Sequence, residues 1–126
     1  MKRSILLVLV VSTLVLFSVA SSKGFQDKPV SPQYFIAIFS LGPSWDNEKA
    51  ANQQTGFKEH SANLQRLRAD KKATLGGRFA DKGMVIIEAA DAEAAREMFA
   101  TDVMVQSKVF TLELYPFKPF FKGCIE

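Results

Sequence analysis

The chain has 126 residues, 48% of them apolar and 11% aromatic, with a formal net charge of +3, which fits one small domain around one core. Lys2 and Arg3 supply two of those charges, so the balance from residue 21 onward is +1, too low for a polybasic nucleic-acid face. The lone cysteine, Cys124, excludes an intrachain disulfide framework and a multi-cysteine metal site.

Lys2-Arg3, the apolar run Ile5–Phe17 and the small residues Ser18-Val19-Ala20 stand in the order a secretory signal needs. The 13 residues of Ile5–Phe17 fall short of the roughly 20 that a spanning helix requires, so cleavage after Ala20 is expected rather than a retained anchor. Ser21, not a cysteine, directly follows Ala20, so there is no lipid acceptor at that point. A secreted or periplasmic location follows, with no membrane association once the signal is removed. Residues 21–33 (SSKGFQDKPVSPQ) read as a flexible leader, residues 34–117 as the domain and 118–126 as a tail.

Tyr34–Ser40 is short, aromatic and β-branched, closed by Gly42-Pro43, and predicts a strand apolar on both faces. Ser44, Asp46 and Asn47 are available to cap a helix expected from Glu48 to Ala69. Ala50, Gln53, Phe57, His60, Leu64 and Leu67 form its inward stripe, and Gly56 weakens it without forbidding it. Ala73–Ala80 and Met84–Ala89 predict a hairpin turning at Asp81-Lys82-Gly83, with Gly83 supplying a positive φ. Asp91 should cap a second helix ending near Thr101-Asp102. Ser107–Tyr115 alternates, with Phe110, Leu112 and Leu114 on one face, and the tail from Pro116 is not expected to extend the sheet far.

The order βαββαβ predicts a ferredoxin-like α+β sandwich, a four-stranded antiparallel sheet with two helices on one face. Those helices can cover only one side of the first strand. The opposite side calls for a second copy of the chain, forming a homodimer, or for the Phe117–Phe121 tail folding back as a lid.

His60 is the sole histidine and sits between Phe57 and Leu64 on the inward stripe. A histidine there must find a hydrogen-bond partner, which makes it either a satisfied core residue or a proton-transfer group. Asp102 is the best-placed carboxylate to orient it, with Asp81 second or simply a turn residue. Gly76-Gly77 could bring a ligand close to backbone or mark a strand bulge, Arg78 could meet an anion or solvent, and Trp45 could line a pocket mouth or pack over the helix start. A serine nucleophile, Gly-rich phosphate loop, paired metal-ligand spacing and CxxC are all without a motif.

Tyr34–Ser40, the helix with Glu59-His60 and Leu64-Gln65-Arg66-Leu67, Gly76-Gly77-Arg78-Phe79, Met84–Ala89, the helix from Asp91, and Thr101-Asp102 together resemble the YCII-related family. The likeness spans roughly residues 33–117. It implies a ferredoxin-like fold paired into a dimeric α/β-barrel, and a histidine–aspartate active-site pair falling on His60 and Asp102, with lyase- or hydrolase-type acid–base chemistry. The family usually has proline after the aspartate, whereas this chain has Val103, so the turn presenting Asp102 lacks that constraint.

The leading expectation is an exported domain acting on a small organic molecule through His60 and Asp102, with Gly77, Arg78 and Trp45 binding the substrate and with no cofactor or metal. The alternatives are a non-catalytic small-molecule binding module using the same hollow, a haem carrier with His60 as axial ligand, and a structural envelope protein.

Overall fold

The computed structural model describes residues 32–121. The expected signal segment, most of the leader and the end of the tail with Cys124 lie outside the described residues. The elements are β1 (Gln33–Leu41), a 3-10 turn (Ala51–Gln53), α1 (Phe57–Ala69), β2 (Ala73–Phe79), β3 (Lys82–Ala89), α2 (Ala92–Glu97), α3 (Val103–Gln106) and β4 (Phe110–Phe117). The strands form one antiparallel sheet in the order β2-β3-β1-β4, an α+β arrangement consistent with a ferredoxin-like sandwich. Among the described residues, no helix is long and apolar enough to cross a membrane.

Alternation in β1 divides the sheet into two unlike faces. Phe35, Ala37 and Phe39 are buried in one cluster with Leu67 of α1, Ala95 of α2, Phe99, and Val85 and Ile87 of β3. Phe110, Leu112 and Leu114 pack against that cluster from β4, as their spacing predicts. Tyr34, Ile36 and Ile38 face the other way and are only half-buried. The tail does not cover them: Phe120 and Phe121 are 97% and 92% exposed, so the lid expectation fails.

Several element boundaries differ from those expected. The helix foreseen from Glu48 starts at Phe57, because the intervening chain folds around a buried glutamine. Gln54 accepts from the Asp46 N–H at 3.1 Å and donates to the Asp46 and Lys49 carbonyls at 2.7 and 3.1 Å. Asp46, foreseen as a helix cap, instead accepts from the Glu48 N–H within that loop. Gly56 then takes φ +82°, a left-handed conformation that closes the loop and opens α1.

The β2–β3 hairpin turns at Ala80-Asp81, and Ala80 rather than Gly83 carries the positive φ, +49°. Gly83 lies within β3, paired with Phe39 and Arg78. Asp91 caps α2 as expected, its carboxylate accepting from the Ala94 N–H at 2.8 Å. Asp102, however, does not end that helix but begins another, α3. β4 starts three residues later than foreseen and runs through Pro116 and Phe117, opposite Phe35 and Tyr34. Proline is tolerated there because β4 is an edge strand and its missing N–H deprives no neighbour. Gln33, assigned to the leader, is the first residue of β1.

Candidate active site

α1 and α3 bring together two polar side chains from opposite halves of the chain. The Nδ1 of His60 lies 2.7 Å from Oδ2 of Asp102, and both residues are buried. Asp102 gains its position from its role as helix cap: Oδ1 accepts from the Met104 N–H at 3.1 Å and, more loosely, from the Val105 N–H at 3.4 Å. Val103 occupies the first helical position, where a proline would also fit. The backbone bonds to Met104 and Val105 fix the carboxylate without it.

Asn63, one turn beyond His60, completes the carboxylate's surroundings. Its Nδ2 donates to the Met98 carbonyl at 3.2 Å and approaches Asp102 Oδ2 at 3.4 Å, while Arg66 donates to its Oδ1 at 2.7 Å. Burial by itself raises the Asp102 pKa. The hydrogen bond and charge of His60, with the bonds from Asn63 and the Val105 N–H, outweigh it and hold the carboxyl below its ordinary value. Asp102 is therefore an acceptor near neutral pH, so Nδ1 of a neutral His60 must carry the ring proton and Nε2 must present a lone pair.

That nitrogen looks into a cavity. His60 is held edge-on by Phe39 and Phe110, with ring centroids 5.0 and 5.2 Å away. Among the described residues no side-chain nitrogen or oxygen is buried without a partner, and no described group bonds Nε2, so it reaches open space. The cavity has a volume of about 410 Å³ and lies between the start of α1 and the β2–β3 end of the sheet. Phe57, Leu64, Trp45 and Phe110 wall it, the last two stacked at 5.7 Å.

The register explains why this end of the sheet is hollow. Along the helix-facing side, Gly76 pairs with Val85 and Gly83 pairs with Phe39, so two successive places there carry no side chain. A Cβ on Gly76 would meet only Met84 O and Val85 Cγ2 at 3.8 and 3.9 Å, ordinary contacts. Tight backbone packing is therefore not the reason for glycine at that position. The bulge in β2 falls between Ala73 and Leu75, before the glycine pair.

Of the residues singled out in the sequence, His60, Trp45, Gly77, Arg78 and Asp81 all line this cavity, and Asp102 stands behind the imidazole. Gly77 contributes backbone alone: it pairs with Met84 on the open side of the sheet, where a Cβ would meet nothing within 4 Å. Asp81 is not the histidine's partner. Sequence reasoning missed Asn63, although its place three residues after His60 on one helix put it within reach. It also missed the Phe39–Phe110 clamp, which only the β1–β4 and helix packing reveals. No group of three or more histidine, cysteine, aspartate or glutamate side chains suited to a metal exists among the described residues.

Compared with protein-family models, with curated proteins and with solved structures, the chain finds no match.

Proposed function

We propose that this chain is an exported acid–base enzyme of the YCII-related type, acting on a small organic molecule by lyase- or hydrolase-type chemistry. The observation that carries the reading is the 2.7 Å contact between His60 Nδ1 and Asp102 Oδ2 beneath a cavity that the opposite ring nitrogen can reach. Nε2 takes a proton from substrate, the Asp102 carboxylate stabilises the imidazolium that results, and the ring returns the proton to a leaving or rearranged atom. Such transfer contributes about 10²–10⁴-fold in rate. A binding module that only sequesters a ligand has no need for an ionised carboxylate held at the back of an imidazole, which favours catalysis over that alternative.

The reading includes pairing into a dimeric α/β-barrel. Ile36, Ile38, Leu75, Phe79 and Tyr115 fall on the sheet face that no helix among the described residues covers, and an apolar surface of that kind suits a second copy of the same sheet.

The test of function is deuterium exchange in D₂O. A panel of enolisable 2-oxo acids and lactones is followed by proton NMR with the wild-type protein and with His60→Ala. The proposal expects catalysed exchange or conversion of at least one compound, lost in the variant, with the circular dichroism of the fold retained. Unchanged turnover by His60→Ala contradicts it.

A further inference from the structure

The cavity's chemistry narrows what it can hold. Its walls are hydrocarbon over most of their extent: Trp45, Phe57, Leu64 and Phe110 leave room for a flat body to slide between the aromatic wall and the bare backbone of Gly76. About 410 Å³ falls at the small end of ordinary ligand sites, which matches one substituted ring rather than a nucleotide or a peptide.

Three side chains of full charge also line the cavity, and only one of them stands as an available cation. Lys82 is turned to the open side of the sheet, where its Nζ donates to Ser40 Oγ at 2.8 Å. Asp81 sits in the hairpin turn. Arg78 pairs with Gly83 on the helix-facing side, so no neighbouring side chain blocks its path over β3. It makes no ion pair with any described residue. A guanidinium at the edge of a hydrocarbon hollow favours a planar anionic group, which it can meet through two parallel hydrogen bonds.

From this geometry we infer that the cavity binds a small aromatic carboxylate, its ring against Trp45 and Phe110 and its carboxylate on Arg78. The inference rests on the reading of this cavity as the ligand site and deepens it by naming the ligand class. It does not depend on proton transfer by His60.

Trp45 is the only tryptophan in the chain, so its fluorescence reports the cavity directly, and calorimetry provides a second readout. The purified protein is titrated with benzoate, with neutral benzamide of the same shape, with acetate as an anion without a ring, and with benzylamine as a ring bearing a cation. Benzoate is expected to bind at least roughly tenfold more tightly than each of the other three, the scale of one desolvated charge-assisted pair. Arg78→Gln should bring benzoate down to the level of benzamide and leave benzamide unchanged. Gly76→Val places a strand-favouring side chain in the hollow and should abolish binding of both ring compounds while preserving the fold.

Benzoate binding no better than benzamide, unaltered benzoate affinity in Arg78→Gln, or no binding of any of the four probes overturns the inference. Tighter binding of benzylamine overturns it too and makes Asp81 the dominant charge. Loss of turnover in His60→Ala bears on proton transfer alone, and benzoate affinity bears on the cavity alone, so the two readings fail separately.

Discussion

Gly56 and Val103 meet where α1 and α3 both begin. A Cβ on Gly56 would lie 2.8 Å from Val103 Cγ1 and 3.3 Å from Met104 Cγ. His60 is four residues after the first of these positions, its N–H bonded to the Gly56 carbonyl at 2.9 Å, and Asp102 immediately precedes the second. The contact therefore sets how closely the imidazole and the carboxylate approach.

Gly56→Ala should consequently cost both stability and geometry. The left-handed backbone penalises a side chain, and the new methyl pushes α3 away from α1. A loss of about 1–3 kcal/mol is expected, measured by urea denaturation. Stability equal to wild type would show that the α1–α3 contact does not constrain the site.

Asp102 links stability to pH in a definite direction. Its carboxyl is depressed in the folded chain, so its contribution is fully present above the ordinary carboxylate range and is lost as pH falls through the depressed value. Melting temperature followed from about pH 7 to about pH 3 should decline on the acid side in the wild type. Asp102→Asn should be less stable at neutral pH and show a shallower decline. Asp46 is also depressed, through Lys49 and the Glu48 N–H, but it is exposed, and Asp46→Asn should leave the profile nearly unchanged.

On the proposed reading, Asn63 would act as a positioning residue rather than a catalytic one. Removing it with Asn63→Ala frees one edge of the Asp102 carboxylate and should lower kcat more than it raises KM for any substrate found by the exchange screen. A stability loss of about 1 kcal/mol accompanies it. A purely structural role would instead lower stability with kcat unchanged.

Dimerisation is tested at the open sheet face. Sedimentation velocity of the wild type should give the mass of two chains, and Ile36→Lys should give one, with circular dichroism unchanged. A wild type that sediments as a single chain at all concentrations rules out the barrel.

The sheet was legible in the sequence wherever local pattern alone decides structure. The alternation of Phe110, Leu112 and Leu114, the two-faced apolar run of β1 and the Asp91 cap each depend on neighbours two to four residues away. What escaped depends on distant packing. Gly56 looks like a blemish in a continuous helical stripe, whereas its left-handed backbone and its contact with Val103 and Met104, over forty residues on, both call for a bare Cα. Asp102 resembles a terminal loop residue until α3, four residues long and too short to show a period, turns out to hang from it. Pro116 belongs in a strand only because β4 is at the sheet's edge, which strand order decides. The His60–Asp102 pair was approached through the resemblance and the lone histidine, whereas the hollow before it follows from Gly76 and Gly83 sharing one face, a matter of register.

Catalysis of the proposed kind requires Asp102 to hold the His60 proton on Nδ1 and leave Nε2 bare toward the cavity. Because His60 is the only histidine, nitrogen-15 NMR of histidine-labelled protein reads this tautomer without ambiguity. The neutral ring should be protonated on Nδ1, with an unprotonated Nε2 signal that moves when benzoate is added. A ring protonated on Nε2 in the neutral state would contradict it.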